Sequence, residues 1–118
     1  MATLSRPQLV LRAIAEAWAT HTSLEVTKTA TMSFGTLLKA DGTEATAAEL
    51  VDGAYDVGFI IDDAKIADVA DGSTLLARCV SRPEWTVLRG EELKLGATAL
   101  SAAELALFVA GSMPVDVQ

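Results

Sequence analysis

The sequence predicts a β-rich α+β protein, with a small sandwich-like or barrel-like β body between an N-terminal helix and a short C-terminal helix. Short apolar runs separated by Gly, Asp and Pro occupy residues 50–95, and a capping-box pattern precedes an apolar segment near each end of the chain. At 118 residues the chain has the usual length of one domain. We divide it into a helical arm (1–22), a β-rich body (23–96) and a C-terminal helix with its tail (97–118).

The first predicted element is a helix over residues 6–19. A capping-box pattern spans residues 5–8, with Pro7 near the first helical position. Val10, Ile14 and Trp18 follow at four-residue spacing, which places them on one stripe of a helix. We expect this apolar stripe to be buried against another surface, either the sheet of its own domain or a partner or sibling subunit.

The first half of the body is predicted to hold strands on either side of Gly35, because residues 23–38 are rich in β-branched and apolar side chains. Asp41-Gly42 marks a turn. A second capping box at residues 46–49 begins a short helical turn, which Asp52-Gly53 ends.

Residues 55–61 form the clearest strand. Their nearly continuous apolar character predicts burial on both faces, and Gly58 indicates a bulge or a close backbone approach. Residues 74–80 and 84–89 follow as strands on either side of Arg82-Pro83, and we expect them to form an antiparallel pair around that corner.

The last part of the chain begins with a short segment between Gly90 and Gly96. A third capping box, at residues 101–104, then begins a C-terminal helix that Gly111 closes.

Composition and charge exclude several classes of function. Sixteen acids against nine Lys and Arg give a formal charge of −7, which disfavours direct nucleic-acid binding. No apolar run approaches the roughly 18 to 20 residues of a membrane span, and Arg12 and Glu16 interrupt the N-terminal apolar segment as a signal sequence. We expect a chain that is made in a cytoplasm, with its single cysteine, Cys79, as a buried inert thiol.

The sequence contains no set of residues that indicates catalysis, so we predict a protein that is not an enzyme and has no cofactor or metal. His21 lacks a motif and is expected at the surface or in a cap. The acids between Asp62 and Asp71 do not have the spacing of a calcium loop and read as a solvated loop.

Partner contact is the remaining source of function. The apolar fraction of 51% consists largely of alanine, and aromatics make up 5%, so the core is thin and subunit contacts are expected to add burial. The basic residues Arg78, Arg82, Arg89 and Lys94 cluster in the C-terminal half. They form either a patch that binds an acidic protein surface or a set of charged residues at sheet edges. The two tryptophans are large anchors, in the core or at an interface. The candidate partner-binding residues are Leu9, Val10, Ile14, Trp18, Arg78, Arg82, Trp85 and Arg89.

The order of short motifs in residues 27–95 resembles that of a known family. Phe34-Gly35-Thr36-Leu37-Leu38 is followed by Asp41-Gly42, by Val57-Gly58-Phe59-Ile60-Ile61-Asp62, and by the runs 75–80 and 85–88 before Glu92-Leu93. This order is similar to that of the head decoration proteins of tailed bacteriophages, the type found on the lambda head.

The resemblance implies a β-rich cement protein, typically a trimer, that binds the major capsid protein on the outer surface of the expanded capsid and clamps neighbouring subunits. Such a protein would be made in the bacterial host cytoplasm and act on the virion. Family members commonly use an N-terminal arm that adds a strand to a capsid sheet, whereas the helix predicted before Ser23 favours helix packing.

Two other classes of function stay open. One is another structural virion part, such as a head-tail connector or tail protein, which would assemble into rings. The other is a small ligand-binding β domain or an enzyme, for which a polar pocket with converging titratable groups is expected.

Overall fold

The computed structural model describes residues 8–13, 20–51 and 57–118, which form a strand-rich α+β fold with three sheets. The strands are β1 (Val10–Ala13), β2 (His21–Thr27), β3 (Leu37–Lys39), β4 (Val57–Ile61), β5 (Thr74–Val80), β6 (Thr86–Leu88), β7 (Lys94–Leu95), β8 (Thr98–Ala99) and β9 (Asp116–Val117). The helices are α1 (Ala47–Val51) and α2 (Ala102–Ser112), and 3-10 turns lie at Ala64–Asp68, Pro83–Trp85 and Gly90–Glu92. The sheets of this described part do not close into a barrel.

The largest sheet has four antiparallel strands in the order β2-β5-β4-β3. Strands β2 and β5 pair along their whole length, from His21 opposite Val80 to Thr27 opposite Thr74. The strand predicted over residues 74–80 is therefore confirmed with both of its bounds. The strand predicted over 55–61 is confirmed from Val57, and residues 55 and 56 lie outside the described ranges.

At β3 and the end of β4 this sheet is buried on both faces, whereas β2 and most of β5 keep one exposed face. Neighbouring residues of one strand point to opposite sides, and both Ile60 and Ile61 have no exposed surface. Ile60 belongs to an apolar cluster with Phe108, whereas Ile61 belongs to a second cluster with Cys79. The prediction of burial on both faces is confirmed for this part of β4.

A three-stranded sheet packs against one side of the first. Strand β6 lies between β1, with which it is antiparallel, and β9, with which it is parallel. Leu9, which directly precedes β1, and Leu88 of β6 join Ile60 and Val80 from the four-stranded sheet in one cluster. The two sheets therefore share one apolar core. The sequence analysis assigned the residues of β9 to the tail that follows the C-terminal helix and predicted no strand there.

The predicted N-terminal helix is wrong where the structure describes it. Val10–Ala13 is a strand whose residues pair with Thr86, Val87 and Leu88 of β6. A short apolar run is compatible with either a helix or a strand, and here pairing with a neighbouring strand decides the conformation. Residues 1–7 and 14–19, which include Ile14 and Trp18, lie outside the described ranges.

The predicted pairing of the strands on either side of Arg82-Pro83 is also wrong. Strand β5 pairs with β2 and β4, whereas β6 pairs with β1 and β9. The segment between them contains a 3-10 turn, Pro83–Trp85, that leads the chain from one sheet into the other. A corner between two sheets and a hairpin turn have the same local signal, because both use proline and polar residues.

Two of the predicted capping motifs precede a helix, with the full reciprocal box at Ser101 and the glutamate half of it at Thr46. Ser101 Oγ accepts a hydrogen bond of 3.2 Å from the Glu104 N–H, and Glu104 Oε1 accepts one of 2.8 Å from the Ser101 N–H. Before α1, Glu49 Oε2 accepts 2.6 Å and 3.2 Å bonds from the hydroxyl and N–H of Thr46. The hydroxyl bond is the main reason that the pKa of Glu49 lies below its usual value.

Glycines mark turns and close approaches where the sequence indicated them. Gly42 has φ +87° in the turn after Asp41, and its N–H donates to the Lys39 carbonyl. At Gly58 a Cβ would lie 2.8 Å from the Cα of Ala40, so only glycine fits there without a shift.

Candidate functional site

A cleft of about 310 Å³ lies where the three-stranded sheet meets the start of β2. It is lined by Gln8, Leu9, Val10, Ala13, Thr20, His21, Asp62 and Arg78. We call it the His21 cleft. It brings together three of the predicted partner-binding residues, Leu9, Val10 and Arg78. Leu9 is fully buried, however, so its side chain has no surface left for a partner.

A buried histidine–carboxylate pair forms one wall of this cleft. His21 Nε2 lies 2.8 Å from Asp62 Oδ2, and the His21 and Asp62 side chains are 9% and 16% exposed. The other ring nitrogen, Nδ1, lies 2.8 Å from the Thr20 hydroxyl. His21 is therefore not at the surface or in a cap, as the sequence analysis expected.

The backbone of Arg78 holds the carboxylate side of the pair in place. The Arg78 carbonyl accepts a 2.9 Å bond from the Asp62 N–H, and the Arg78 N–H donates a 3.2 Å bond to Asp63 Oδ2. Asp63 also caps the following 3-10 turn by accepting from the Lys65 N–H. The Arg78 side chain itself is exposed at the cleft.

The hydroxyl–imidazole–carboxylate order resembles the order of groups in hydrolytic triads. Thr20, however, is completely buried and precedes His21 directly in the chain. A nucleophile must reach the reacting carbon of a substrate, which a buried hydroxyl cannot do. The chemistry of this set is therefore that of a polar clamp between β2 and the end of β4.

A second surface is the corner between the two sheets, where two predicted partner-binding residues meet. The Arg82 guanidinium carbon lies 5.6 Å from the centre of the Trp85 ring, within the range of a cation–π contact. Trp85 is 37% exposed, and Arg82 is exposed. Below them Pro83 is buried, and its carbonyl accepts a 2.8 Å bond from the Thr86 hydroxyl, which fixes the turn. We call this pair the Arg82–Trp85 corner.

The remaining predicted residues do not join either surface. Arg89 is exposed just after β6 and forms an ion pair with Glu91. Ile14 and Trp18 lie outside the described ranges.

A third surface, which the sequence analysis missed, lies on α2. Phe108 is the buried residue of this helix, and the exposed half of the helix is apolar. We call this surface the α2 face. It consists of exposed residues of the helix and two exposed residues that follow it: Ala102, Ala103, Ala106, Leu107, Val109, Ala110, Met113 and Val115. The signal was present in the sequence, because Glu104 is the only charged residue between positions 102 and 115. A helix that is apolar all round is typical of a helix covered on all sides.

The described part of the chain holds few other side chains that could act as a nucleophile or bind a metal. Cys79 is buried there, and burial, with smaller effects of Asp63 and Asp62, raises the pKa of its thiol to about 12. It therefore stays protonated at neutral pH. The described residues hold no group of three or more His, Cys, Asp or Glu that could bind a metal, and no helix among them is long and apolar enough to span a membrane.

Comparisons of this chain with family models, with curated proteins and with solved structures found no match.

Proposed function

We propose that this chain is a structural virion protein, without catalytic activity, that decorates the outside of a bacteriophage capsid and clamps neighbouring major capsid subunits as a homo-oligomer, with the trimer of the resembled family as its expected form. It would be made in the host cytoplasm and act on the outer surface of the virion. The order of motifs in residues 27–95 supplies the family resemblance. The sandwich-like body belongs to this proposal and is supported by the apolar core that the two sheets share.

The observation that carries the proposal is the Arg82–Trp85 corner. Tryptophan and arginine are the residues most enriched among those that dominate protein–protein binding. Here they stack on each other at the surface, on a turn that buried Pro83 holds rigid. A rigid aromatic anchor loses little side-chain entropy on binding, which suits attachment to another protein.

The proposed clamp does not require a tight single contact. Copies attached to linked capsid subunits bind at a high effective concentration, so weak contacts add up. The net charge of −7 also disfavours contact with the packaged DNA, which supports a position outside the shell.

Binding to capsids tests the proposal. Purified chain is mixed with expanded and with unexpanded capsids assembled from a bacteriophage major capsid protein, and bound chain is measured after sedimentation. We expect saturable binding to expanded capsids, and a loss of affinity of about tenfold or more for Arg82→Ala and Trp85→Ala. Failure of the folded chain to bind either form would contradict the proposal.

Arg89→Ala is the matched control, because Arg89 is also exposed and lies outside the corner. It should bind expanded capsids within about twofold of the unchanged chain. Equal losses in Arg82→Ala and Arg89→Ala would mean that general charge, and not the corner, governs binding.

A second candidate, a small ligand-binding domain, is favoured by the His21 cleft. Its volume is at the lower end of ligand pockets, about 300 to 1,000 Å³, and the Arg78 side chain and the His21 ring both line it. The Asp62 carboxylate lines the same cleft, so a small anion would have to bind on the side of Arg78. If this reading is right, inorganic phosphate should shift the His21 ring resonances saturably, and Arg78→Ala should abolish the shift. A response that is linear in phosphate, or equal in Arg78→Ala, would rule this candidate out.

A further inference from the structure

We infer that the α2 face is the surface through which copies of this chain bind one another. The inference rests on the proposed function for its biological setting, a decoration protein that works as an oligomer. The partner that it commits to is a second copy of this chain.

Charge is the first reason for choosing a second copy. Two copies carry −7 each and repel one another wherever their acidic surfaces meet. The α2 face is free of charged side chains, because Glu104, the one acid of the helix, is held in the capping box at its start. Contact through this face therefore brings the two chains together where repulsion is least.

Size is the second reason. Leu107, Val109, Met113 and Val115 are 36%, 39%, 67% and 44% exposed. With the exposed alanines they form an apolar patch on the order of 500 Å², which is within the range of interaction patches on protein surfaces. Two such patches bury on the order of 1,000 Å², which is the lower limit for a specific interface. We therefore expect self-association in the micromolar range.

Shape is the third reason. A groove of about 490 Å³ runs between α2 and the segment that follows it, lined by Ala102, Leu105, Ala106, Val109, Pro114, Val115, Asp116 and Val117. Asp116 is the one charged residue that lines this groove. Met113 follows the helix, is 67% exposed and lines a separate cleft with Pro83 and Glu84. The α2 face thus has a concave, largely apolar groove on one side, into which apolar side chains of a second copy can pack.

Sedimentation velocity of the full chain tests the inference, over concentrations from roughly 1 to roughly 200 µM. We expect the unchanged chain to form oligomers within this range. Met113→Glu and Met113→Lys should both raise the dissociation constant by about tenfold or more. Met113→Glu makes the net charge more negative, and Met113→Lys makes it less negative. Weaker association in both variants would therefore result from lost contact at Met113 and not from a change in overall charge repulsion. Leu107→Glu provides a second position on the same face.

Leu76→Glu is the matched control, because Leu76 is 69% exposed, almost as Met113 is, and lies on β5. It should associate as the unchanged chain does. The inference is overturned if the unchanged chain stays monomeric at the highest concentration, if Met113→Lys associates normally, or if Leu76→Glu loses association equally. A monomeric chain that still binds expanded capsids through α2 would assign the face to the capsid, and this too would overturn the inference. Oligomers that bind no capsid would contradict only the proposed function.

Discussion

Replacing Phe108 with alanine is expected to lower the free energy of unfolding by about 3 to 5 kcal/mol, the usual cost of truncating a buried aromatic side chain. Phe108 has no exposed surface and lies in the cluster that joins α2 to Leu50 of α1, to Ile60 of the four-stranded sheet and to Leu88 of the three-stranded sheet. Its loss leaves a cavity where these elements meet. Small domains have about 5 to 15 kcal/mol of stability in total, so this variant should unfold at a much lower urea concentration.

Leu107→Ala is the control for this prediction. Leu107 is the neighbouring residue of the same helix and is 36% exposed, and leucine and alanine are both good helix formers. We expect a loss of less than about 1.5 kcal/mol, measured by urea unfolding followed by circular dichroism. Equal losses in the two variants would show that α2 is not anchored through Phe108.

Gly35→Ala is expected to be at least as destabilising, at about 4 kcal/mol or more. Gly35 has φ +85°, and an added Cβ would overlap the carbonyl oxygen of Glu92 and lie 2.8 Å from the carbonyl carbon. The backbone cannot move aside easily. The Gly35 N–H donates a 2.8 Å bond to the Ile61 carbonyl, and its own carbonyl accepts a 3.0 Å bond from the Lys94 N–H. The substitution must therefore separate the end of β4 from β7.

Gly72→Ala separates the two causes of this effect. Gly72 has φ +87°, nearly the same as Gly35, but nothing lies within 4 Å of an added Cβ. Gly72→Ala should lower the free energy of unfolding only by the cost of placing an alanine in the left-handed conformation, about 1 to 2 kcal/mol. A similar loss of stability in both variants, measured by thermal and urea unfolding, would mean that contact with Glu92 contributes little.

Local chemistry made part of this fold predictable. Ser101 and Glu104 carry their capping bonds within four residues, so the start of α2 could be predicted without any knowledge of packing. The Asp41-Gly42 turn is also determined locally, because a positive φ requires glycine there. Strand β5 was clear because turn residues bound its apolar run on both sides.

Contacts between distant residues decided the parts that the sequence analysis predicted wrongly. Val10 is in a strand because Leu88 lies opposite it, 78 residues later in the chain. His21 and Asp62 are 41 residues apart, and the sequence around either residue has no pattern that predicts their pairing. Arg82 and Trp85, by contrast, were chosen from sequence and do meet, since residues three apart in a tight turn lie on the same side.

The burial of β3 and of the end of β4 on both faces has a consequence for strand alignment. When one face of a sheet is exposed to solvent, a slip of one residue moves the apolar side chains from the core to the solvent. The pattern of polar and apolar residues then determines the register. Here a slip of β4 by one residue toward its C-terminal end would put Phe59 in the place of Ile60 and Ile60 in the place of Ile61, and would leave both cores apolar. Alignment must be selected by steric fit, such as Gly58 against Ala40, and by loop bonds such as the one from Gly35 to Ile61. In this protein hydrophobic burial supplies stability, while small residues select which of the possible alignments is the native one.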